Sequence, residues 1–268
     1  MRAVILAGGK GVRLAPVTQV IPKPLVPLNG RPILEIVLRQ LRAQGFRHVT
    51  LAVGYMAELI QAYFGDGGKL GLHIDYSFED RPLGTAGPLA LIHGLDDTFL
   101  VMNADVLTDL DYRALMDYHK IHGGIATVSA YERQVTIDLG VIVKDGGCRI
   151  REYVEKPSFT HLVSMGIYVF EPAILDYIRG YRNPAASVAA ANDAGIPPGP
   201  QSLTTVPWPP ATDHCRPGYL DFPDLVKLLL HLDQKVNFYP FNGYWLDIGR
   251  HEDYAKASEE FENLFPSP

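Results

Sequence analysis

Cysteine is nearly missing from this sequence: Cys148 and Cys215 are the only two in 268 residues. Two thiols are too few for a disulfide framework or a cysteine-rich zinc site, and a reducing compartment is the simpler setting. No apolar run approaches the ~18 residues that cross a bilayer. The basic start and short apolar stretch of MRAVILAGG lead into Gly8, Gly9 and Lys10, not into a small-x-small cleavage site, and so are not read as a secretory signal. The expectation is a cytoplasmic protein with no membrane partner. Concentrated positive charge is lacking too. Lys and Arg number 24 against 30 Asp and Glu, a net charge of −6, which argues against a nucleic-acid groove. Any anionic ligand must be held by local groups. The sequence also lacks the kinase-type G-x-x-x-x-G-K-[ST] loop, an internal repeat and a convincing Ser/His/Asp arrangement. Its histidines form no evident metal cluster; His119 and His122, three apart on a predicted helix, read as a solvated face.

What is present is an ordinary globular composition, 47% hydrophobic and 20% charged, in a chain long enough for one full core. Its first segment is the most informative. VILAGGKGVRLAPVTQVIPKPLVPL opens as a buried strand, then places Gly8, Gly9 and Gly11 in the following turn, with Arg13 and Lys23 close behind. Bare backbone amides beside fixed cations suit phosphate oxygens. The dinucleotide pattern G-x-G-x-x-G is not met, because its third position is Leu14, and Pro16, Pro22, Pro24 and Pro27 forbid an immediate long helix.

Strand and helix signals alternate through the first half. Helices are expected over 31–45, 56–65, 87–94 and 110–124, and strands over 48–54, 72–78 and 98–105. This rhythm predicts an α/β fold, a Rossmann-like and mainly parallel central sheet flanked by helices, whose ligands sit at the carboxyl ends of strands. The stretches 125–133, 139–144, 148–157 and 162–172 are strand-like and read as an added β-rich part, some of it antiparallel. Eight prolines between 184 and 217 exclude a long helix or central strand, so 181–219 reads as a long inserted surface loop with helical potential limited to 185–193. Helices return at 221–232 and from about His251, with a strand at 236–241. The expected organisation is therefore a single domain over 1–268: a nucleotide-binding half at 1–124, a second half at 125–180 and 220–268, and the insertion.

Several positions carry chemistry. VMNADVLTD ends a hydrophobic strand with Asp105, and YWLDIG places Asp247 between apolar neighbours. A carboxylate in such a setting is costly unless paired or holding a metal, and two of them with a phosphate loop suit Mg²⁺. EYVEKPS ends a strand with Glu155 and Lys156, which would point to opposite faces; they suit a sugar hydroxyl and a phosphate. EDRPLGTAGPLAL joins strand to helix through Gly84 and Thr85. Its small residues permit close approach of a flat ring, with a capping role for Thr85 the plainer reading.

In sequence order, LAGGKGVRLAPVT with PKPL, then PLGTAG, NADV, VEKP and WLDIG resemble the motifs of the sugar-1-phosphate nucleotidylyltransferases. The resemblance covers about 1–180 and 220–262. EDRPLGTAGPLAL and GYWLDIGRHEDY look most like the mannose-1-phosphate guanylyltransferase branch. It implies an enzyme that joins an NTP to a sugar 1-phosphate by in-line attack on the α-phosphorus, releasing pyrophosphate. By the same resemblance, Leu6, Ala7, Gly8, Gly9, Gly11, Arg13, Glu79, Pro82, Gly84, Thr85, Asn103 and Asp105 would meet the nucleotide. Gly140, Glu155, Lys156, Gly166 and Trp245 would meet the sugar phosphate. Arg13, Lys23, Asp105, Lys156 and Asp247 would carry the chemistry, with Mg²⁺ on Asp105 and Asp247. Val12 departs from the usual threonine, removing one hydroxyl.

Glu79 bears on the base. Guanine presents two donors, N1–H and N2–H, on one edge, which a carboxylate accepts together, whereas uracil or thymine is matched better by an amide. GTP is therefore favoured over UTP or dTTP. The alternatives are a UTP- or dTTP-using enzyme, transfer to a cyclitol or alditol phosphate, and a non-catalytic nucleotide-sugar-binding regulatory subunit. Retention of Arg13, Asp105, Lys156 and Asp247 weighs against the last. Self-association as a homo-oligomer is implied only by the resemblance. Trp208, isolated in the insertion, is a candidate for packing on a second subunit.

Overall fold

A computed structural model describes residues 1–182 and 218–264. The strands are β1 (Arg2–Ala7), β2 (Pro27–Leu28), β3 (Arg31–Pro32), β4 (His48–Val53), β5 (His73–Phe78), β6 (Phe99–Asn103), β7 (Val106–Thr108), β8 (Ala126–Thr136), β9 (Val141–Lys144), β10 (Ile150–Val154), β11 (Ser158–Phe170), β12 (Val236–Phe241) and β13 (Trp245–Asp247). The α-helices are α1 (Ile33–Ala43), α2 (Ala57–Phe64), α3 (Tyr112–His122), α4 (Ile174–Arg182), α5 (Phe222–His231) and α6 (His251–Leu264).

Seven strands form the main sheet in the order β12-β8-β11-β6-β1-β4-β5. β1 runs parallel to both β4 and β6, β4 to β5, and β12 to β8; β11 alone is antiparallel to its two neighbours. The expected α/β architecture is thus present, and the single reversed strand joins the two halves into one sheet. Ala3, Val4, Ile5 and Ala7 of β1 are all buried, as a central parallel strand covered on both faces requires.

One face packs Leu38 and Leu41 of α1, Ile60 and Phe64 of α2, and Tyr112 and Leu115 of α3 onto Ile5, Leu51 and Met102. The other packs Ile174 and Ile178 of α4 and Leu225 and Leu229 of α5 onto Val4, Val101 and Phe170. Helix α1 is buried on two sides, because Ile33 and Ile36 also meet Leu14, Leu28 and Ile248. It therefore braces the glycine-rich loop against the carboxyl-terminal segment. Asp111 caps α3 by accepting from the backbone N–H groups of Arg113 and Ala114, at 2.9 and 3.0 Å.

Four expectations need correction. Residues 87–94 hold only a 3₁₀ turn over Gly87–Leu91, because the chain becomes extended at Ile92 (φ −88°, ψ 130°), whose side chain joins the core. Helix α4 was not expected; it reaches Arg182 and so takes two residues from the proposed insertion. His119 is not on a solvated face. It is fully buried, with Nδ1 2.8 Å from Thr127 Oγ1 and Nε2 3.0 Å from Glu171 Oε1, while His122 is exposed. Finally β10 stops at Val154, so Glu155 and Lys156 occupy a turn, with Lys156 at φ 45°; they do not alternate across a strand. The proposed loop over 183–217, the helical potential at 185–193, Trp208 and Cys215 lie outside the described residues.

The distal parts of β8 and β11, with the β9–β10 hairpin, extend away from the core as an arm. It leaves Leu139, Ile142, Ile150, Tyr153 and Leu162 exposed. No helix among the described residues is long and apolar enough to cross a membrane.

Candidate active site

A cavity of about 600 Å³ opens where β1, β4, β5 and β6 end. Leu6, Ala7, Gly8, Gly9, Gly11 and Arg13 line one wall. Glu79, Pro82, Gly84 and Thr85 line another, and Asn103 and Asp105 a third. The twelve positions singled out for the nucleotide are thereby gathered around one space, together with Lys23.

The glycine loop folds around Lys23. Gly11 has φ +60°, and a Cβ there would lie 3.0 Å from Lys23 Cβ and Thr18 Cγ2, so both backbone hand and space require glycine. Thr18 Oγ1 donates to the Gly11 carbonyl at 2.9 Å and closes the turn. Lys23, only 9% exposed, forms an ion pair with Asp105.

Asp105 sits in the turn between β6 and β7, where Ala104 N–H donates to the Leu6 carbonyl at 3.1 Å. The second carboxylate arrives from far along the chain. β13 pairs antiparallel with β7, placing Asp247 opposite Val106, and Ile248 N–H donates to the Asp105 carbonyl at 3.0 Å. Burial pushes the Asp247 carboxyl above its ordinary pKa, and the neighbouring Asp105 charge adds to this; Lys23 and Arg13 oppose it. Arg13 lies against Gly249, where a Cβ would fall 3.0 Å from its Nη2. Two carboxylates and two cations thus converge from residues 13, 23, 105 and 247.

Asp105 Oδ1 and Asp247 Oδ1 are both buried with no hydrogen-bond partner among the described residues. A carboxylate oxygen in that state is costly unless a cation completes it. Two hard oxygen donors beside a phosphate-sized cavity fit Mg²⁺, which takes one or two carboxylates and fills its shell with water and phosphate oxygens.

The sugar-phosphate candidates divide into two groups. Gly166 packs against a residue of the cavity wall: a Cβ on it would meet the Asn103 side-chain amide nitrogen at 2.6 Å. Trp245 donates its indole N–H to the Met165 carbonyl at 3.0 Å and tilts over Tyr131 with ring centres 5.4 Å apart. Gly140, Glu155 and Lys156 ride on the arm and do not line the cavity. Gly140 lies under the Tyr153 ring, and Lys156 pairs with Asp138 at 2.7 Å, both side chains largely exposed.

Sequence reading missed Lys10, Tyr55, Arg81, Tyr219 and Asp221, all on the cavity wall. Tyr219 and Asp221 could not be found locally, because a long-range clasp puts them there. Leu220 accepts from Ala86 N–H and Gly87 N–H at 2.9 and 3.1 Å and donates to the Leu83 carbonyl at 2.9 Å. Asp221 Oδ1 accepts from Thr85 N–H at 2.8 Å and Thr85 Oγ1 at 3.2 Å, while Thr85 Oγ1 accepts from Phe222 N–H at 2.9 Å. Thr85 is a helix cap after all, but of α5, 137 residues away, not of the turn that follows it. Gly84, at φ +82° and pressed on the Leu220 carbonyl, makes this approach feasible.

A sequence profile described as Nucleotidyl transferase matches residues 2–198. A UTP--glucose-1-phosphate uridylyltransferase of Synechocystis sp. is 33% identical over 98% of this chain and 65% of its own length. The mannose-1-phosphate guanylyltransferase catalytic subunit beta of Xenopus tropicalis is 39% identical over 67% of this chain and 52% of its own. The chain therefore spans about half to two thirds of the length of these curated relatives. Among solved structures, HddC from Yersinia pseudotuberculosis shares the fold with a TM-score of 0.64 at 24% identity, over 97% of this chain and 99% of that one.

Proposed function

The chain belongs to the nucleotidyl transferase family, and on that premise we propose that it transfers the nucleotidyl group of an NTP, preferentially GTP, to a sugar 1-phosphate. The products are an NDP-sugar and pyrophosphate. One observation carries the reading: Asp105 and Asp247, distant in sequence, meet beside Lys23 and Arg13 at the edge of a cavity rimmed by bare glycine backbone.

The difficulty of this reaction is bringing two anions together, and these residues address it. The amides of Gly8, Gly9 and Gly11 would receive phosphate oxygens, and Arg13 would offset negative charge accumulating on the leaving pyrophosphate. Lys23 orients Asp105 by its ion pair. Asp105 and Asp247 would hold Mg²⁺, which when bound supplies positive charge at the α-phosphate. The sugar phosphate would enter between Trp245 and Gly166 on one side and the arm on the other. There Lys156 would exchange its exposed partner Asp138 for the phosphate; a solvated ion pair of that kind is weak, about 1 kcal/mol or less. No side-chain nucleophile is needed, since the acceptor is already an anion and proximity does most of the work.

The base is read through Glu79. Its Oε1 lies over Gly8, where a Cβ would fall 2.7 Å away, and its Oε2 accepts from Leu83 N–H at 3.1 Å. An ionised carboxylate has about four acceptor sites, so the bond to Leu83 is compatible with receiving guanine N1–H and N2–H. A second reading, UTP as donor, is favoured by the uridylyltransferase relative, which aligns with nearly the whole chain.

Pyrophosphate release across GTP, UTP, dTTP, ATP and CTP against a panel of sugar 1-phosphates, with Mg²⁺, tests both. Fastest turnover with GTP, shifted toward UTP by Glu79→Gln, supports the proposal. Strong UTP preference that Glu79→Gln barely alters selects the second reading. No release with any pair, or release unaffected by Asp105→Asn, removes both.

A further inference from the structure

At the opposite end of the sheet, three metal-type donors meet that neither the family motifs nor the candidate site use. β4 and β5 begin with His48 and His73, directly paired in the parallel register, and Asp75 follows two residues on along β5, on the same face. Both imidazoles aim Nε2 at the same carboxylate. His48 Nε2 is 2.5 Å from Asp75 Oδ2 and His73 Nε2 is 3.2 Å from Asp75 Oδ1. The two rings lie 4.9 Å apart, and one donor atom from each of the three residues falls within 4.8 Å of the others. The expectation that the histidines form no metal cluster fails here because it was made along the chain. Strand pairing brings together residues 25 apart in sequence.

We propose that His48, His73 and Asp75 form a site for a borderline-soft divalent ion of the Zn²⁺, Co²⁺ and Ni²⁺ class, separate from the Asp105–Asp247 pair. Donors on a tetrahedral ion with bonds of about 2.0 Å lie about 3.3 Å apart, so small side-chain rotations suffice to seat it. Two imidazoles and one carboxylate select this class over Mg²⁺, which prefers oxygen donors. Three protein ligands leave the fourth position to water. His73 is 65% exposed at its side chain and His48 36%, which gives an ion access from solvent. Arg2 approaches Asp75 Oδ2 at 3.9 Å, but its guanidinium is anchored on the Gly94 carbonyl and on Thr50 Oγ1, so it braces the carboxylate and leaves the side facing the imidazoles open. The site lies at the amino ends of β4 and β5, about six residues of strand, roughly 17–20 Å, from the ends where the cavity opens. An ion here would clip the edge strand β5 to its neighbour.

The test is titration of the metal-free full chain with Co²⁺ alone, read by visible absorption. A four-coordinate ion on nitrogen and oxygen donors gives intense d–d bands, whereas a six-coordinate ion on carboxylates and water gives weak ones. The proposal expects one intense-band equivalent per chain, bleached by Zn²⁺, lost in His73→Ala and retained in Asp105→Asn. Zn²⁺ should also raise the melting temperature of the wild type and not of His73→Ala, with nucleotidyl transfer in Mg²⁺ equal in both. Weak bands only, in the wild type, mean an imidazole–carboxylate ion pair without a metal and overturn the proposal. So does an intense band that survives His73→Ala, or one that disappears in Asp105→Asn.

Discussion

Ile248 donates its backbone N–H to the carbonyl of Asp105 at 3.0 Å. Together with the β7–β13 pairing, this bond fixes where the strand bearing Asp247 stands relative to the turn bearing Asp105. Backbone pairing brings the two acids together, and the Lys23 ion pair orients Asp105.

Asp247→Asn is expected to lower nucleotidyl transfer by at least about 100-fold, the usual scale for losing a group that stabilises transition-state charge. It should not unfold the protein. Burial and the Asp105 charge raise the Asp247 pKa, so the folded state binds its proton more tightly than the unfolded chain does. Stability of the metal-free wild type must then fall as pH rises above the ordinary carboxylate value. The substitution removes that slope. Chemical denaturation without divalent ions at several pH values, wild type against variant, checks it: a variant that is less stable at neutral pH contradicts the assignment.

The clasp between Thr85 and Asp221 positions one wall of the cavity. Asp221→Ala should raise KM for the NTP by about 10-fold, the worth of one to two such hydrogen bonds, with a smaller change in kcat. Asp221→Asn keeps an acceptor oxygen and should recover most of the loss. Steady-state kinetics with the nucleotide varied separates this from a general loss of fold, which would lower kcat and leave the Asn variant unrescued.

Gly8→Ala probes Glu79 without touching it. The new methyl would sit 2.7 Å from Glu79 Oε1 and must push the carboxylate aside. The preference for GTP over UTP should narrow by roughly 10-fold, read as the ratio of kcat/KM values.

Tyr112 is fully buried with an unpartnered hydroxyl among the described residues, its ring edge-on to Phe46. Tyr112→Phe should stabilise the protein by about 1 kcal/mol. Burial raises this phenol above its ordinary 10.0, and Tyr76 is pushed up to about 12. The neutral forms therefore favour folding below pH 10, and the advantage is lost as pH climbs through the folded values. Urea melts at pH 8 and above pH 10 should show a shallower alkaline loss in the variant.

Much of this was legible in the sequence, for a physical reason. The central strands are buried on both faces and the helices carry one apolar stripe, so their periodicities report the layers directly. Gly8, Gly11, Arg13 and Asp105 could be selected because a phosphate loop at a strand end is local in the chain. What escaped notice depends on contacts between distant segments. His119 looked like a surface residue until Thr127 and Glu171 closed over it. Thr85 was paired with the wrong helix because its true partner lies beyond the proline-rich stretch. His48 and His73 meet only through strand register.

The antiparallel pairing of β7 with β13 has a bearing on biosynthesis. Asp105 is laid down 142 residues before its companion acid, Asp247. On the proposed function, a nascent chain that has exposed the glycine loop stays inert until that later strand docks on β7. A product terminated between the two would, on the same function, lack half of the carboxylate pair.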